Sequence, residues 1–251
     1  MRFNPIKKFL YQSLTLENYL RVLQRSYFWA YQTGILKRSS DYAYHYFVKQ
    51  LIREGDVVLD IGANLGYYSI LFAQWVGSAG EVHAVEPIRI YNKIFNEKAK
   101  KYTNISLYPY ALGIEEKTVD LVSSPAGGYL NTGLPHVYNS ETDGTIENQS
   151  FRFESQMKIP SLLFKDLKKI DYIKCDIEGF EYLVLSDMKE LIRKFKPKVQ
   201  VELWSDNEEQ TLQLFNELGY LPYKLHKNRL ILQNGTARRI EGDYIFLPET
   251  S

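Results

Sequence analysis

The chain has 251 residues, 45% hydrophobic and 24% charged, with a formal net charge of +1. That length fits one large α/β domain with an appendage, and the near-zero charge argues against a nucleic-acid partner for the whole molecule. The single Cys175 excludes an internal disulfide and fits a reducing, cytoplasmic setting. No apolar run approaches the roughly 20 residues that span a bilayer, and the opening stretch does not read as a secretory signal.

Charge is unevenly spread. Residues 1–50 carry eight Lys/Arg against Glu17 and Asp41, a local balance of +6, and 12 of the 36 aromatic residues. This basic, aromatic unit, residues 1–54, reads as a helical extension, with a break and N-cap at Arg38-Ser39-Ser40-Asp41. It is expected to act either as a lid over a ligand site or as an anchor on an anionic membrane. The aromatic residues extend through Phe47 and do not cluster at one end, which favours the lid, and the anchor would make the protein peripheral to a membrane.

Residues 55–251 form the second unit. Strands are expected at about Val57–Asp60, Glu81–Glu86 and Ile105–Tyr108, separated by helices over Tyr67–Trp75 and Ile88–Lys100. This βαβαβ rhythm implies a parallel sheet. Residues 113–160, rich in Gly, Asn and Asp, break it with two strands, Thr118–Val122 and Phe151–Lys158, around a long loop. A helix over Ser161–Lys168 and a strand over Ile170–Asp176 resume the rhythm. Helix to Lys194, strand Val199–Leu203, helix Asn207–Leu218 and a terminal antiparallel pair complete it.

The first strand-to-helix turn reads Asp60-Ile61-Gly62-Ala63-Asn64-Leu65-Gly66, and the next strand ends in Glu86-Pro87. The glycines allow a tight turn and a close ligand, and an acid at the second strand end matches a ribose diol. The spacing is not the G-x-G-x-x-G of a dinucleotide site, and Asp60 is badly placed for a pyrophosphate. A carboxylate there suits a cationic, amino-bearing ligand such as S-adenosylmethionine.

Four blocks taken together, Asp60-Ile61-Gly62-Ala63-Asn64-Leu65-Gly66-Tyr67-Tyr68-Ser69, Val85-Glu86-Pro87, Ala111-Leu112-Gly113, and Ile173-Lys174-Cys175-Asp176-Ile177-Glu178-Gly179-Phe180-Glu181-Tyr182-Leu183-Val184-Leu185, resemble the FkbM family of S-adenosylmethionine-dependent methyltransferases. The resemblance covers about Gly55 to Leu203. It implies a Rossmann-like, seven-stranded class I methyltransferase sheet, mostly parallel with an antiparallel edge hairpin, and methyl transfer to a hydroxyl, most often on a sugar or secondary metabolite. It also puts the adenine edge at Ala111. The expected cofactor-binding residues are therefore Asp60, Gly62, Asn64, Gly66, Tyr68, Glu86, Ala111 and Asp176. Asn64 is expected to bond the cofactor carboxylate or cap the helix at Tyr67.

Asp176, Glu178 and Glu181 follow the strand end that faces the crevice in an open α/β sheet. Asp176 and Glu178 are the candidate bases for deprotonating an acceptor hydroxyl, with Lys174 a partner for one of them and Glu181 a first-turn helix acid. His136, in the long loop, is a reserve base, whereas His83 is structural and His45 and His226 have no evident role. Tyr67, Tyr68 and Trp204 are placed at the crevice border. A divalent cation held by Asp176, Glu178 and Glu202 is considered and not favoured, since no histidine supports it. An N/D-P-P-Y/F block for planar amines is absent, which favours a hydroxyl acceptor, most naturally a sugar or glycan.

Overall fold

A computed structural model of the protein describes residues 5–123, 128–146, 149–203, 205–233, 240 and 242–249. The N-terminal segment supplies α1 (Pro5–Ser13), α2 (Leu16–Gln32) and α3 (Ala43–Phe47), the last two joined by short 3-10 turns at Ile35–Arg38 and Ser40–Tyr42. Thr15 caps α2 through its side chain, and Ser39 accepts a hydrogen bond from the Asp41 amide at the expected break.

The α/β part runs β1 (Val57–Ile61), α4 (Tyr67–Val76), β2 (Glu81–Val85), α5 (Arg89–Ala99), β3 (Ile105–Tyr108), β4 (Ala111–Leu112), β5 (Lys117–Ser123), β6 (His136–Val137) and β7 (Phe151–Lys158). It continues with α6 (Pro160–Leu163), β8 (Tyr172–Cys175), α7 (Glu181–Asp187), α8 (Lys189–Phe195), β9 (Lys198–Val201), α9 (Ser205–Glu217), β10 (Tyr220–His226), β11 (Arg229–Leu232) and β12 (Tyr244–Pro248). The helix expected over Ser161–Lys168 is a single turn, α6, started by Pro160 and ended at Phe164.

Among the described residues the main sheet has eight strands in the order β11-β10-β12-β9-β8-β1-β2-β3. The five from β9 to β3 are parallel, and β12, β10 and β11 are antiparallel. The expected sheet had seven strands. The strand beyond that seven-stranded pattern is β11, expected near Leu230–Leu232 as half of the terminal pair, which the turn at Lys227 and Asn228, both at positive φ, folds back onto β10. The 111–158 stretch makes a second sheet, β4-β7-β5-β6. At the centre, β1 lies between β2 and β8, so the chain leaves β1 in opposite directions and opens a crevice at the strand ends.

Strand alternation divides the sheet into two faces. Leu59, Ile61, Ile173, Cys175, Val199, Val201 and Phe246 point to one, where α7, α8 and α9 cover them with Val184, Leu185, Ile192 and Phe215. Val58, Tyr172 and Ile245 point to the other, where Phe72 and Val76 of α4 and Phe47, Val48 and Ile52 of the N-terminal segment close the core. The N-terminal segment thus supplies part of a helical layer. Its α2 buries Tyr19, Leu20 and Phe28 against residues of α4 and α5, and buried Gln24 donates to the carbonyls of Leu65 and Ile94. No helix among the described residues is long and apolar enough to cross a membrane.

Candidate active site

On the face covered by α4 and the N-terminal segment, each central strand carries one polar residue in an apolar run. Register aligns Asp60 with Lys174 and Lys174 with Gln200, forming a row across β1, β8 and β9. Gln200 donates to Asp243 Oδ2 at 2.6 Å and accepts from the Tyr172 hydroxyl at 2.8 Å. A row of buried polar groups survives when each has a partner or a counter-charge. Burial alone would lower the Lys174 ammonium, but Asp176 and Asp60 outweigh it and hold it above the usual lysine range.

Two cavities open along this row. The first, about 180 Å³, sits at the crevice and is bounded by Asp60, Gly62, Asn64, Glu86 and Ala111. The second, about 1000 Å³, lies between the N-terminal segment and the β10–β11 hairpin, with Glu202 and Asp243 in its wall. Both share His45, Tyr68, Lys174 and Asp176. A molecule in one would therefore meet a molecule in the other at those four side chains.

In the first cavity Asp60 is fully buried. One oxygen accepts from Ser69, while Oδ1 has no protein partner among the described residues. Burial pushes its carboxyl above the usual range against the pull of Lys174 and Ser69. An acceptor left unpaired in an interior calls for a donor, and an ammonium group is the matching one. Glu86 is also buried. Its Oε1 accepts from the Ile88 amide and its Oε2 from the Asn64 amide, both at 2.8 Å. Each oxygen keeps a second lone pair for a diol, and burial, opposed by those amides, raises the group to about 7.

The turn departs from expectation in three respects. Gly62 lines the cavity, but a Cβ there would stand 1.8 Å from the Asp176 carbonyl oxygen, so the glycine is required by the crossing chain. Gly66 does not line the cavity: a Cβ would strike the Phe95 ring at 2.3 Å, and the residue serves helix packing. Asn64 does not cap α4, whose cap residue is Gly66 without a side-chain bond. At φ 53° it bonds its own neighbour, Leu65, and donates to the Thr132 carbonyl at 2.7 Å, tying the turn to the long loop. Ala111 is buried in the cavity wall.

Asp176 pairs with Lys174 at 2.9 Å and faces both cavities. Glu178, at φ 52°, faces the first, and burial, with Asp176 and Glu202 nearby, pushes it up to about 8. Burial likewise raises Glu202, on the second cavity, to about 7. Glu181 is more than a first-turn acid. It is fully buried, and its carboxylate gathers the amides of Ile177 and Gly179, fixing the loop that carries Asp176 and Glu178. Among the described residues no group of three or more His, Cys, Asp or Glu is gathered as a metal site.

His136 does not reach either cavity. Its ring is held inside the long loop, Nδ1 against the Leu134 carbonyl and Nε2 against Asp143, both at 3.0 Å. His83 bonds Tyr108 and Glu81 and is structural. The histidine at the junction is His45, stacked on Tyr68 at 4.1 Å with Nδ1 against the Tyr27 hydroxyl at 2.5 Å. Burial and Lys174 hold it down to about 3, so it is neutral. Its helix position gave no sign of this. Gln200 was also missed, although, like Asp60 and Lys174, it is a polar residue interrupting an apolar strand and so carried a signal. Trp204 lies outside the described residues, and Tyr67 lines the first cavity.

Among solved structures the chain is similar to methyltransferase FkbM from Methylobacillus flagellatus KT, at 16% identity and TM-score 0.54 over 96% of this chain and 58% of that one. The present chain thus spans well under two thirds of that protein's length, and at this identity the likeness is one of fold. Lower similarity is found to a SAM-dependent O-methyltransferase from Thermotoga maritima, at 14% identity, TM-score 0.43, and 84% and 67% of the two chains. Aeropyrum pernix fibrillarin with natively bound S-adenosyl-L-methionine aligns at 11% identity, TM-score 0.42, over 78% and 67%. No curated protein matches. The model of the methyltransferase FkbM domain matches residues 60–222, a span that runs from the end of β1 through β8 and carries every residue lining the first cavity except His45, and the chain belongs to the FkbM methyltransferase family.

Proposed function

We propose that the protein transfers the methyl group of S-adenosylmethionine to a hydroxyl oxygen, most naturally of a sugar or glycan. The observation that carries this reading is the pair of cavities meeting at Asp176, Lys174, Tyr68 and His45. Direct transfer needs donor and acceptor in contact and aligned, and two compartments with one shared wall impose that. The first cavity fits the cofactor's polar ends: Asp60 Oδ1 awaits a donor, Glu86 has lone pairs to spare, and Ala111 leaves room for a ring. When bound, S-adenosylmethionine supplies an electrophilic methyl on a positive sulfur.

The chain's own residues then do the remaining work. Asp176, fixed by Lys174, orients the incoming hydroxyl at the junction, and neutral His45 with the Tyr68 ring bounds the path. Glu202, raised to about 7, has the basicity to take the hydroxyl proton near neutral pH. Asp176, Glu202 and Asp243 on the second cavity offer a polyol hydrogen-bond acceptors that a flat apolar ring would leave unused.

Calorimetric titration with S-adenosylhomocysteine and with NAD tests the cofactor half. Binding of the first alone is expected, and binding of NAD alone would overturn the reading. Transfer of labelled methyl from S-adenosylmethionine to a panel of oligosaccharides tests the acceptor half. Asp176→Asn is expected to lower kcat by about 100-fold or more. Methylation confined to amines would refute the hydroxyl assignment.

A further inference from the structure

We propose that the mouth of the second cavity docks on an anionic lipid surface, so that the acceptor hydroxyl is presented from a membrane; the acceptor clause rests on the methyl-transfer reading above. One rim of that mouth is Ser40 and Asp41. They follow the turn Ile35–Arg38 after one residue, Ser39, and in that turn Ile35 is 45% exposed and Lys37 and Arg38 are exposed. The last turn of α2, which ends at Gln32, carries Trp29, 62% exposed, and exposed Arg25 stands one helical turn behind it on the same face. The opposite rim is the β10–β11 hairpin. His226, Lys227, Asn228 and Ile231 line the mouth there, and Arg229 is exposed between them.

Segments 25–41 and 226–231 therefore carry five lysines and arginines and a single acid, Asp41. Within the cavity acids outnumber the one lysine, with Asp176, Glu202 and Asp243 against Lys174. Such an arrangement holds anionic headgroups at the entrance and admits only a neutral or amino-bearing polyol. The exposed apolar residues of these two segments, Trp29, Ile35 and Ile231, choose among polyanions. Phosphates of a nucleic acid need no exposed tryptophan and isoleucines beside the cations, whereas a bilayer interface accepts both, the indole at headgroup level and the charges against anionic lipid. The balance of +6 over residues 1–50 makes the same choice of partner charge.

The test is co-sedimentation of the full chain with phosphatidylcholine vesicles and with mixed phosphatidylcholine–phosphatidylglycerol vesicles. Each cation near an anionic surface strengthens binding about fivefold. The chain should therefore prefer the mixed vesicles, and K37E/R38E should lose at least about tenfold of that affinity. Trp29→Ser should weaken binding too, while the same charge change at exposed Lys165 and Lys168, outside both rims, should not. S-adenosylhomocysteine titration of every variant reports whether the fold is intact, since none of these side chains lines the first cavity. Indifference to phosphatidylglycerol, or equal loss in the control pair, would overturn the proposal. So would heparin binding as tight as vesicle binding and untouched by Trp29→Ser. Failure of the parent chain to bind S-adenosylhomocysteine would instead strike the methyl-transfer reading, and the vesicle result would stand apart from it.

Discussion

Glu86 shows how one side chain serves both the fold and the ligand. Its two oxygens each hold a backbone amide, of Asn64 and of Ile88, where the first turn and the second strand end meet. Ribose hydroxyls would take the lone pairs that remain. Truncation to alanine therefore orphans two amides in a buried place, at about 2 kcal/mol or more. Glu86→Ala is expected to lower both the unfolding free energy and the affinity for S-adenosylhomocysteine. Glu86→Gln, which keeps the volume and one acceptor oxygen, should lose about tenfold or more in affinity with a smaller loss of stability. Calorimetry and urea unfolding on the two variants separate the roles, and equal affinity in all three proteins would remove Glu86 from the ligand site. The sequence pointed to this residue because an acid closing an apolar strand is conspicuous. It pointed less well to the glycines, since a spacing pattern does not say whether the space is needed by a ligand or by Asp176 and Phe95.

At the scale of elements, the strands were legible and their surroundings were not. Runs such as Val57–Ile61 and Tyr172–Cys175 are buried along almost their whole length and read as central parallel strands. The N-terminal helices were legible as helices, but amphipathic spacing names the face that is buried and not the partner that buries it. That partner is α4 and α5, through Tyr19, Leu20 and Phe28, with Gln24 bonding two carbonyls that would otherwise be bare. His45 was missed for the same reason: it enters the site from a segment far away in sequence. The packing makes a specific claim about α2. Gln24→Leu keeps the apolar contacts and abandons the carbonyls of Leu65 and Ile94, at about 1–3 kcal/mol, so the melting temperature should fall by several degrees, about 2–4 °C per kcal/mol in a chain of this size. Were α2 a loosely laid lid, the melting temperature would not move.

For the whole molecule, the consequence of building a site from buried carboxylates is a stability that depends on pH in an unusual direction. Glu86 and Glu202 are raised to about 7 and Glu178 to about 8, from an ordinary value near 4.5. Burial is the first cause in each case, and it penalises the charged form. A carboxylate whose folded value lies above its unfolded value favours folding fully below about 4.5 and loses that contribution as the pH climbs through the folded value. Asp60 and Asp243, also raised by burial, add in the same sense. The histidines oppose them only at lower pH. His45 and His83 are held below 6.5, so their contribution is complete above that value and lost on acidification. Between about 4.5 and 6.5 the two trends oppose each other; above 6.5 only the decline of the carboxylate contribution remains, and the protein should lose stability from there to pH 8.5. Each carboxylate contributes at most about 1.4 kcal/mol per pH unit, and less where water reaches it. Urea midpoints at pH 6.5, 7.5 and 8.5 should therefore decline, and Glu178→Gln should flatten the decline and be the more stable protein at pH 8.5. A midpoint that rises over this range would mean that these carboxylates are paired or solvated in the folded chain, and the low-dielectric crevice on which the site's chemistry depends would have to be abandoned.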